Sequence, residues 1–288
     1  MIKGTTRLCG LIGNPVEHSI SPLIHNTIAE KMGIDMVYTT FKVEDDQVDS
    51  AIEGAYALNI LGGNVTVPHK QAVMNKLVEI DPMAQKIGAV NTFVRVEGGY
   101  KGYNTDIIGF ERELIDAGIE VEGRDVVMLG AGGAARAILF WCASKKPSKI
   151  YLYNRNVDKA RELADEVKQS FDCEIMVDSI NNASETKAEN YLAIQTTSVG
   201  LYPKVDDVVV EADTFYSNAV AGVDIVYNPA NTMFMRKLQQ FNKPAYNGLK
   251  MLLYQGVAAF ELINHVEVSK DITELVYDKM KEAMGIVG

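Results

Sequence analysis

The stretch that most constrains this chain is Asp125-Val126-Val127-Met128-Leu129-Gly130-Ala131-Gly132-Gly133-Ala134-Ala135-Arg136. An apolar run, a glycine turn and a series of small residues predict a strand covered on both faces, a tight loop and the first turn of a helix. Gly130, Gly132 and Ala135 stand at the offsets of the dinucleotide-binding pattern G-x-G-x-x-A. The first glycine lets the chain turn tightly, and the second lets backbone approach a pyrophosphate. The alanine lets the helix pack close to the strand. Unpaired N–H groups at the helix start then face the phosphates.

A second strand is predicted over Lys149-Ile150-Tyr151-Leu152-Tyr153. At its end an NAD enzyme usually places an acid for the ribose hydroxyls. Here the chain has Asn154-Arg155-Asn156, with Lys159 a turn later. A carboxylate would repel a 2′-phosphate, whereas a guanidinium attracts one and can bind it through two parallel hydrogen bonds. The site therefore reads as preferring NADP; the bland alternative is that Arg155 and Lys159 are solvated surface charges. Strands and helices alternate from Asp125 to about Pro244, which predicts one doubly wound parallel sheet.

At 288 residues the chain exceeds what one core usually serves, so two domains are expected. A net charge of −10 argues against a nucleic-acid partner, which would need a basic face. Cys9, Cys142 and Cys173 are widely spaced and odd in number, which suits reduced thiols in the cytoplasm and neither a disulfide framework nor a zinc site. The histidines are scattered, and no metal site is expected. The N-terminal apolar run, Leu8 to Ile12, is too short for a signal-peptide core or a membrane span.

Upstream of the glycine turn, Leu8–Ile12 reads as the first strand. Ser21 and Pro22 suit the N-cap and first position of a helix in which Ile24, Ile28 and Met32 repeat, with Gly33 as its stop. Ser19 sits in the preceding loop without an obvious task. Val37–Val43 predicts a strand, and 46–58 an amphipathic helix with Val48, Ile52 and Ala55 on one face. Ile60–Lys70 predicts a short strand breaking into a polar turn, then a helix from about Gln71 to Val78. Asn64, Thr66 and Lys70 lie near that strand's C-terminal end, where open α/β sheets bind ligands. The alternative is a helix start with an exposed lysine. Ala89–Val96 and the run ending at Asp106 form a predicted hairpin. Asp106 then either caps the helix that follows, from about Ile107 to Ala117, or takes part in chemistry. Ala221–Tyr227 reads as the last clear strand of the sheet. Gly248–Ile263 and Asp271–Met284 read as two closing helices that fold back onto the N-terminal domain.

Several runs together resemble the shikimate and quinate dehydrogenases. They are Gly10–Pro15 with Ser19–Pro22, Asn64-Val65-Thr66-Val67-Pro68-His69-Lys70, Gly88–Thr92, Gly102–Asp106, Gly130–Arg136, Asn154-Arg155, Tyr227-Asn228-Pro229, and Gly248–Leu252 with Gln255. The resemblance implies an N-terminal α/β substrate domain, a Rossmann-type NADP domain and a cleft between them. The boundaries expected are 1–106 with 249–288 for substrate binding and catalysis, and 107–248 for NADP. It implies the reversible NADPH-dependent reduction of 3-dehydroshikimate to shikimate in aromatic amino-acid biosynthesis, with quinate and NAD as alternatives. By match of motif, Lys70 and Asp106 form the catalytic pair. Ser19, Ser21, Asn64, Thr66, Asn91, Tyr227 and Gln255 hold substrate. Gly130, Ala131, Gly132, Gly133, Ala134, Asn154, Arg155, Asn156 and Lys159 hold NADP, with Ile225 and Gly248 at the nicotinamide. His69 is catalytic by type but is set aside, because its place in the motif varies in the family. Two departures stand out: Asn156 replaces a frequent threonine, which could loosen the cofactor preference, and Gln195 replaces a frequent asparagine. The expected partners are a small-molecule substrate and neither nucleic acid nor membrane, with a homodimer allowed for. Outside the family, a methylene-tetrahydrofolate dehydrogenase or a non-catalytic sensor of NADP or shikimate would share much of this pattern. Lys70 with Asp106 speaks against both.

Overall fold

The chain begins with β1 (Arg7–Gly13), α1 (Ser21–Met32), β2 (Met36–Lys42), α2 (Val48–Ala57), β3 (Gly62–Val65), β4 (Glu79–Ile80), α3 (Pro82–Ile87), β5 (Thr92–Val96) and β6 (Gly99–Tyr103). The structure is a computed structural model and describes residues 2–286. It divides into two units, one holding the residues up to Gly109 with those from Leu252 onward, the other Phe110–Met251. The first unit is built on a six-stranded sheet of order β2-β1-β3-β5-β6-β4. Its β1, β2 and β3 run parallel, and β5 runs antiparallel to both β3 and β6. Under the sheet, Ile12, Val48, Ile52, Ala55, Val73, Phe93 and Tyr100 form a buried cluster. The face of α2 that carries Val48, Ile52 and Ala55 is buried, as its spacing requires.

Three local points differ from the sequence-based expectations here. In α1 the N-cap is Ile20 and Ser21 is the first helical residue. The helix start has no side-chain cap, and the Ser21 N–H donates to Ser19 Oγ at 3.2 Å. Pro22 remains inside the first turn, where its missing N–H costs nothing. In place of a helix over 71–78 there is a short 3₁₀ turn, Ala72–Lys76, followed by β4. Two backbone bonds onto the neighbouring strand hold the chain extended there: Val78 N–H to Tyr100 O at 3.0 Å, and Asp81 N–H to Gly102 O at 2.8 Å. The third concerns α3, absent from the sequence reading. Asp81 caps it through bonds from Met83 and Ala84, Pro82 opens it and Gly88 closes it.

Next come α4 (Thr105–Asp116), β7 (Asp125–Leu129), α5 (Gly133–Ser144), β8 (Lys149–Asn154), α6 (Val157–Ser170), β9 (Ile175–Ser179), β10 (Tyr191–Gln195), α7 (Asp213–Asn218), β11 (Ala219–Asp224), α8 (Met233–Gln240), β12 (Ala245–Asn247), α9 (Leu249–Asn264) and α10 (Lys270–Ala283). The second unit's sheet is parallel throughout, in the order β12-β11-β10-β7-β8-β9. Counted from β7, this is the 3-2-1-4-5-6 order of dinucleotide-binding sheets, with its switch point between β7 and β10. Val126, Val127, Met128 and Leu129 are fully buried, as a strand covered on both faces must be. Strand β11 stops at Asp224, short of the expected Tyr227. Asp224 Oδ1 accepts the Val226 N–H at 3.0 Å and so turns the chain out of the ladder. In the first unit, α10 packs on α1. Gly256 of α9 meets Ile24 of α1, where an added Cβ would lie 3.1 Å from Ile24 Cγ2. Among the described residues no helix is long and apolar enough to cross a membrane.

Candidate functional site

In the first unit, Lys70 leaves the turn after β3 with its carbonyl bound to the Val90 N–H at 2.8 Å. This ties the turn to the chain entering β5. Its Nζ donates to Asp106 Oδ2 at 2.6 Å, with the two side chains 24% and 14% exposed. Asp106 is the second residue of α4, and its N–H donates to Asn104 Oδ1 at 3.2 Å. Asn104 therefore serves the helix start and leaves the Asp106 carboxylate free. The second oxygen of that carboxylate accepts from Asn91 Nδ2 at 2.9 Å. The Asn91 amide is oriented in turn, since its Oδ1 accepts the Thr105 N–H at 2.7 Å. Asn64 donates to Thr92 Oγ1 at 3.0 Å and accepts from the Tyr38 hydroxyl at 2.7 Å. Thr92 Oγ1 reaches Asn91 Oδ1 at 3.1 Å, which closes one continuous chain of hydrogen bonds from Tyr38 to Lys70.

Four of the residues singled out by sequence, Lys70, Asp106, Asn91 and Asn64, are thus physically joined. Among the described residues, Ser19, Ser21, Thr66 and Gln255 make no side-chain hydrogen bond to that chain. Thr66 is half-buried just past β3. Gln255 lies in α9 with its Nε2 on the Leu252 carbonyl at 2.8 Å. His69 is buried, and its ring bonds the Val43 carbonyl at 2.7 Å, a structural task. Tyr38, Thr92, Asn104 and Thr105 were not singled out. Three of them sit inside runs already quoted, Gly88–Thr92 and Gly102–Asp106, so a signal existed.

In the second unit, the loops after β7, β8 and β10 line a cavity of about 640 Å³. Gly130 has φ +108, a conformation that favours glycine, and its N–H bonds the Tyr153 carbonyl at 2.7 Å. Gly132 is the N-cap of α5 and carries no side-chain cap. A Cβ added at Gly132 or Gly133 would meet nothing within 4 Å. An uncapped helix start facing open space accepts an anion, and this donor set fits a pyrophosphate. Asn154 bridges the loops, accepting from the Ala131 N–H at 3.2 Å and donating to Asn156 O at 2.8 Å. Asn156 caps α6 through the Lys159 N–H at 3.0 Å. Arg155 and Lys159 line the cavity with exposed side chains and, among the described residues, form no ion pair. Gly248 lies against Ile225, where an added Cβ would fall 2.2 Å from the Ile225 carbonyl oxygen. Tyr227 is half-buried three residues beyond β11, and burial raises its phenol above the usual range.

Behind that cavity is a buried network absent from the sequence reading. Asp224 Oδ2 accepts from Gln195 Nε2 at 3.0 Å and from the Thr232 hydroxyl at 2.7 Å. Gln195 Nε2 also donates to the Val199 carbonyl at 3.1 Å, which shapes the loop at the cavity wall. Burial pushes the Asp224 carboxyl up to about 7 against the opposing pull of these donors.

A parallel sheet with this switch point, an open helix start at the glycine loop and two cations lining the same cavity define a dinucleotide-binding α/β protein. The lysine–aspartate pair is carried by a separate α/β unit. Residues 11–93 match the family described as the shikimate dehydrogenase substrate binding domain, and residues 113–226 match shikimate / quinate 5-dehydrogenase. The chain belongs to the shikimate dehydrogenase family. It is 41% identical over 276 residues to a shikimate dehydrogenase (NADP(+)) of Methanobrevibacter smithii, covering 95% of this chain and 97% of that one. Among solved structures, shikimate 5-dehydrogenase of Listeria monocytogenes in complex with shikimate and NAD has TM-score 0.90 and 30% identity, covering 97% of this chain and 98% of that one. The Thermus thermophilus enzyme in complex with NADP(H) and shikimate has TM-score 0.83 and 31% identity, covering 95% and 99%.

Proposed function

We propose that this chain is an NADP-dependent shikimate dehydrogenase that interconverts 3-dehydroshikimate and shikimate in aromatic amino-acid biosynthesis. The observation that carries the reading is the Lys70–Asp106 pair at 2.6 Å, with Asn91 on the other carboxylate oxygen. When bound, NADPH supplies the hydride that reduces the ketone carbon. Negative charge grows on the ketone oxygen as the hydride arrives. The Lys70 ammonium stabilises that charge and delivers the proton that completes the alcohol. In the reverse direction Lys70 takes the proton back. Asp106 orients the ammonium and accepts from a substrate hydroxyl. Asn64, Asn91, Ser19, Ser21, Thr66, Tyr227 and Gln255 are uncharged hydrogen-bonding groups suited to a polyol carboxylate. A site built to bond hydroxyls rejects analogues that lack them.

In the second unit, Gly130–Ala134 present backbone N–H groups to the pyrophosphate, and Arg155 with Lys159 attract the 2′-phosphate. Asn154 and Asn156 tie the loops together and also line the cavity, where they meet the cofactor. Ile225 and Gly248 form a close backbone pair suited to packing on the nicotinamide. A cytoplasmic location fits the three unpaired thiols. One observation favours a second reading in which quinate is also oxidised: the match over residues 113–226 is to a family described by both substrates. A steady-state matrix of shikimate and quinate against NADP and NAD decides between them. Turnover of shikimate with NADP well above the other three combinations is expected. Comparable quinate turnover establishes the second reading, and no turnover in any combination refutes both.

A further inference from the structure

One buried column in the first unit is left without a task by the proposed chemistry. His25 of α1 is 1% exposed, and its ring stacks on that of Tyr38 with centroids 4.0 Å apart and planes 4° from parallel. Phe260 of α9 adds a second ring, tilted by 36° with its centroid 6.0 Å from that of His25. Burial holds the His25 imidazolium far below its usual range, down to about 3, so the ring is a neutral platform. Tyr38 is 2% exposed, and its hydroxyl ends on Asn64 Oδ1 at 2.7 Å.

The amide at Asn64 can sit in two ways that exchange its donor and acceptor ends. Its Nδ2 faces Thr92 Oγ1 at 3.0 Å and the Asn91 carbonyl at 3.3 Å. A carbonyl only accepts, so Nδ2 must point there, and both of its protons are then used. Tyr38 meets the opposite end as a donor. Beyond these bonds this side chain keeps the second lone pair of Oδ1, which lies where the His25 ring also feels it as an acceptor. Asn64 can therefore accept from a substrate hydroxyl but cannot donate to one.

We infer that His25 and Tyr38 are positioning residues, a rigid stack that pins the Asn64 amide so that it presents an acceptor to a substrate hydroxyl. This rests on the reading of Asn64 as a substrate residue. Without the tyrosine hydroxyl the amide is held at one end only, and a hydroxyl bound to it loses orientation. The bond is present in both ground and transition states, so its loss falls on KM and leaves kcat nearly unchanged.

The test is a cycle of Tyr38→Phe, Asn64→Ala and their combination, assayed for shikimate oxidation with NADP. Tyr38→Phe keeps the ring on His25 and removes only the hydroxyl. It is expected to raise KM for shikimate about tenfold, the effect of one ordinary buried hydrogen bond. The kcat should stay within about twofold, and KM for NADP should not move. In the Asn64→Ala background Tyr38→Phe should change nothing further, because the tyrosine acts through the asparagine. His25→Phe, which keeps a flat ring, should retain KM, and His25→Ala should raise it. Equal effects of Tyr38→Phe with and without Asn64 would overturn the inference, as would an unchanged KM in Tyr38→Phe when Asn64→Ala raises it. A normal KM in Asn64→Ala would instead overturn the assignment of Asn64 itself.

Discussion

Replacing Lys70 by alanine removes the ammonium that donates to Asp106 at 2.6 Å. Two consequences can be separated by size. For stability, the pair is neither free in water nor sealed, at 24% and 14% exposure. Exposed pairs contribute about 0–1 kcal/mol, and breaking a fully buried one costs about 3–5. Asp106 keeps its bond from Asn91 at 2.9 Å and has some access to water, which places the loss at about 1–2 kcal/mol. That lowers the melting temperature by only a few degrees in a chain of this size. For catalysis, the substrate oxygen carries substantial charge only in the transition state, so the lost stabilisation falls on kcat. General acid catalysis contributes roughly a hundred- to ten-thousandfold, or about 2.7–5.5 kcal/mol at about 1.4 per decade. The expected variant is folded, binds shikimate with little change in KM, and turns over at least about a hundredfold slower. NADPH absorbance under saturating substrate, read beside a thermal melt, measures both quantities. Asp106→Asn should lower kcat and also raise KM, on the proposal that Asp106 bonds a substrate hydroxyl before reaction. The double variant should be little worse than the worse single one, as expected of groups that act together. A large rise in KM with normal kcat for Lys70→Ala would make the lysine a binding residue only. Full additivity would dissolve the pair as a functional unit.

Three further outcomes are expected. Arg155→Ala should weaken NADP about ten- to a hundredfold and leave NAD nearly unchanged, since a charge-assisted bond to the 2′-phosphate is worth about 1.5–3 kcal/mol; equal losses for both cofactors in a binding titration would remove Arg155 from that role. Gly248→Ala should destabilise the protein by about 1–3 kcal/mol and weaken the cofactor, because the added Cβ would fall 2.2 Å from the Ile225 carbonyl oxygen and backbone must move; a parent-like melt would show that the contact yields freely. Glu113 is 2% exposed, and burial pushes its carboxyl up to about 8 from 4.5. A group whose folded pKa is raised favours the fold fully below its unfolded value and loses that advantage as pH climbs toward the folded one. Glu113→Gln should therefore gain stability over the parent progressively between about pH 5 and pH 8, by roughly 5 kcal/mol at most. Denaturant curves separated by a constant difference at both ends of that window would refute it.

The glycine loop was legible because each of its residues answers a local demand. Gly130 takes a positive φ, and Val126–Leu129 are buried on both sides. What the sequence blurs is competition between equivalent groups. Asn104 and Asp106 are both good helix-capping residues two positions apart, and nothing local decides between them. The fold assigns the N–H of α4 to Asn104, and by doing so leaves both Asp106 oxygens for Lys70 and Asn91. Ser19 and Ser21 pose the same ambiguity at the start of α1, and there the earlier residue again takes the N–H. Tyr38 shows a different limit. An aromatic residue in a strand reads as ordinary packing, and its hydroxyl acquires a role only once β3 brings Asn64 to 2.7 Å. The early strand, the turn after β3 and the β5–α4 region were each readable as segments. The order of donors and acceptors along Tyr38, Asn64, Thr92, Asn91, Asp106 and Lys70 was not. It exists only across strands, where each amide has its flip chosen by a neighbour distant in sequence.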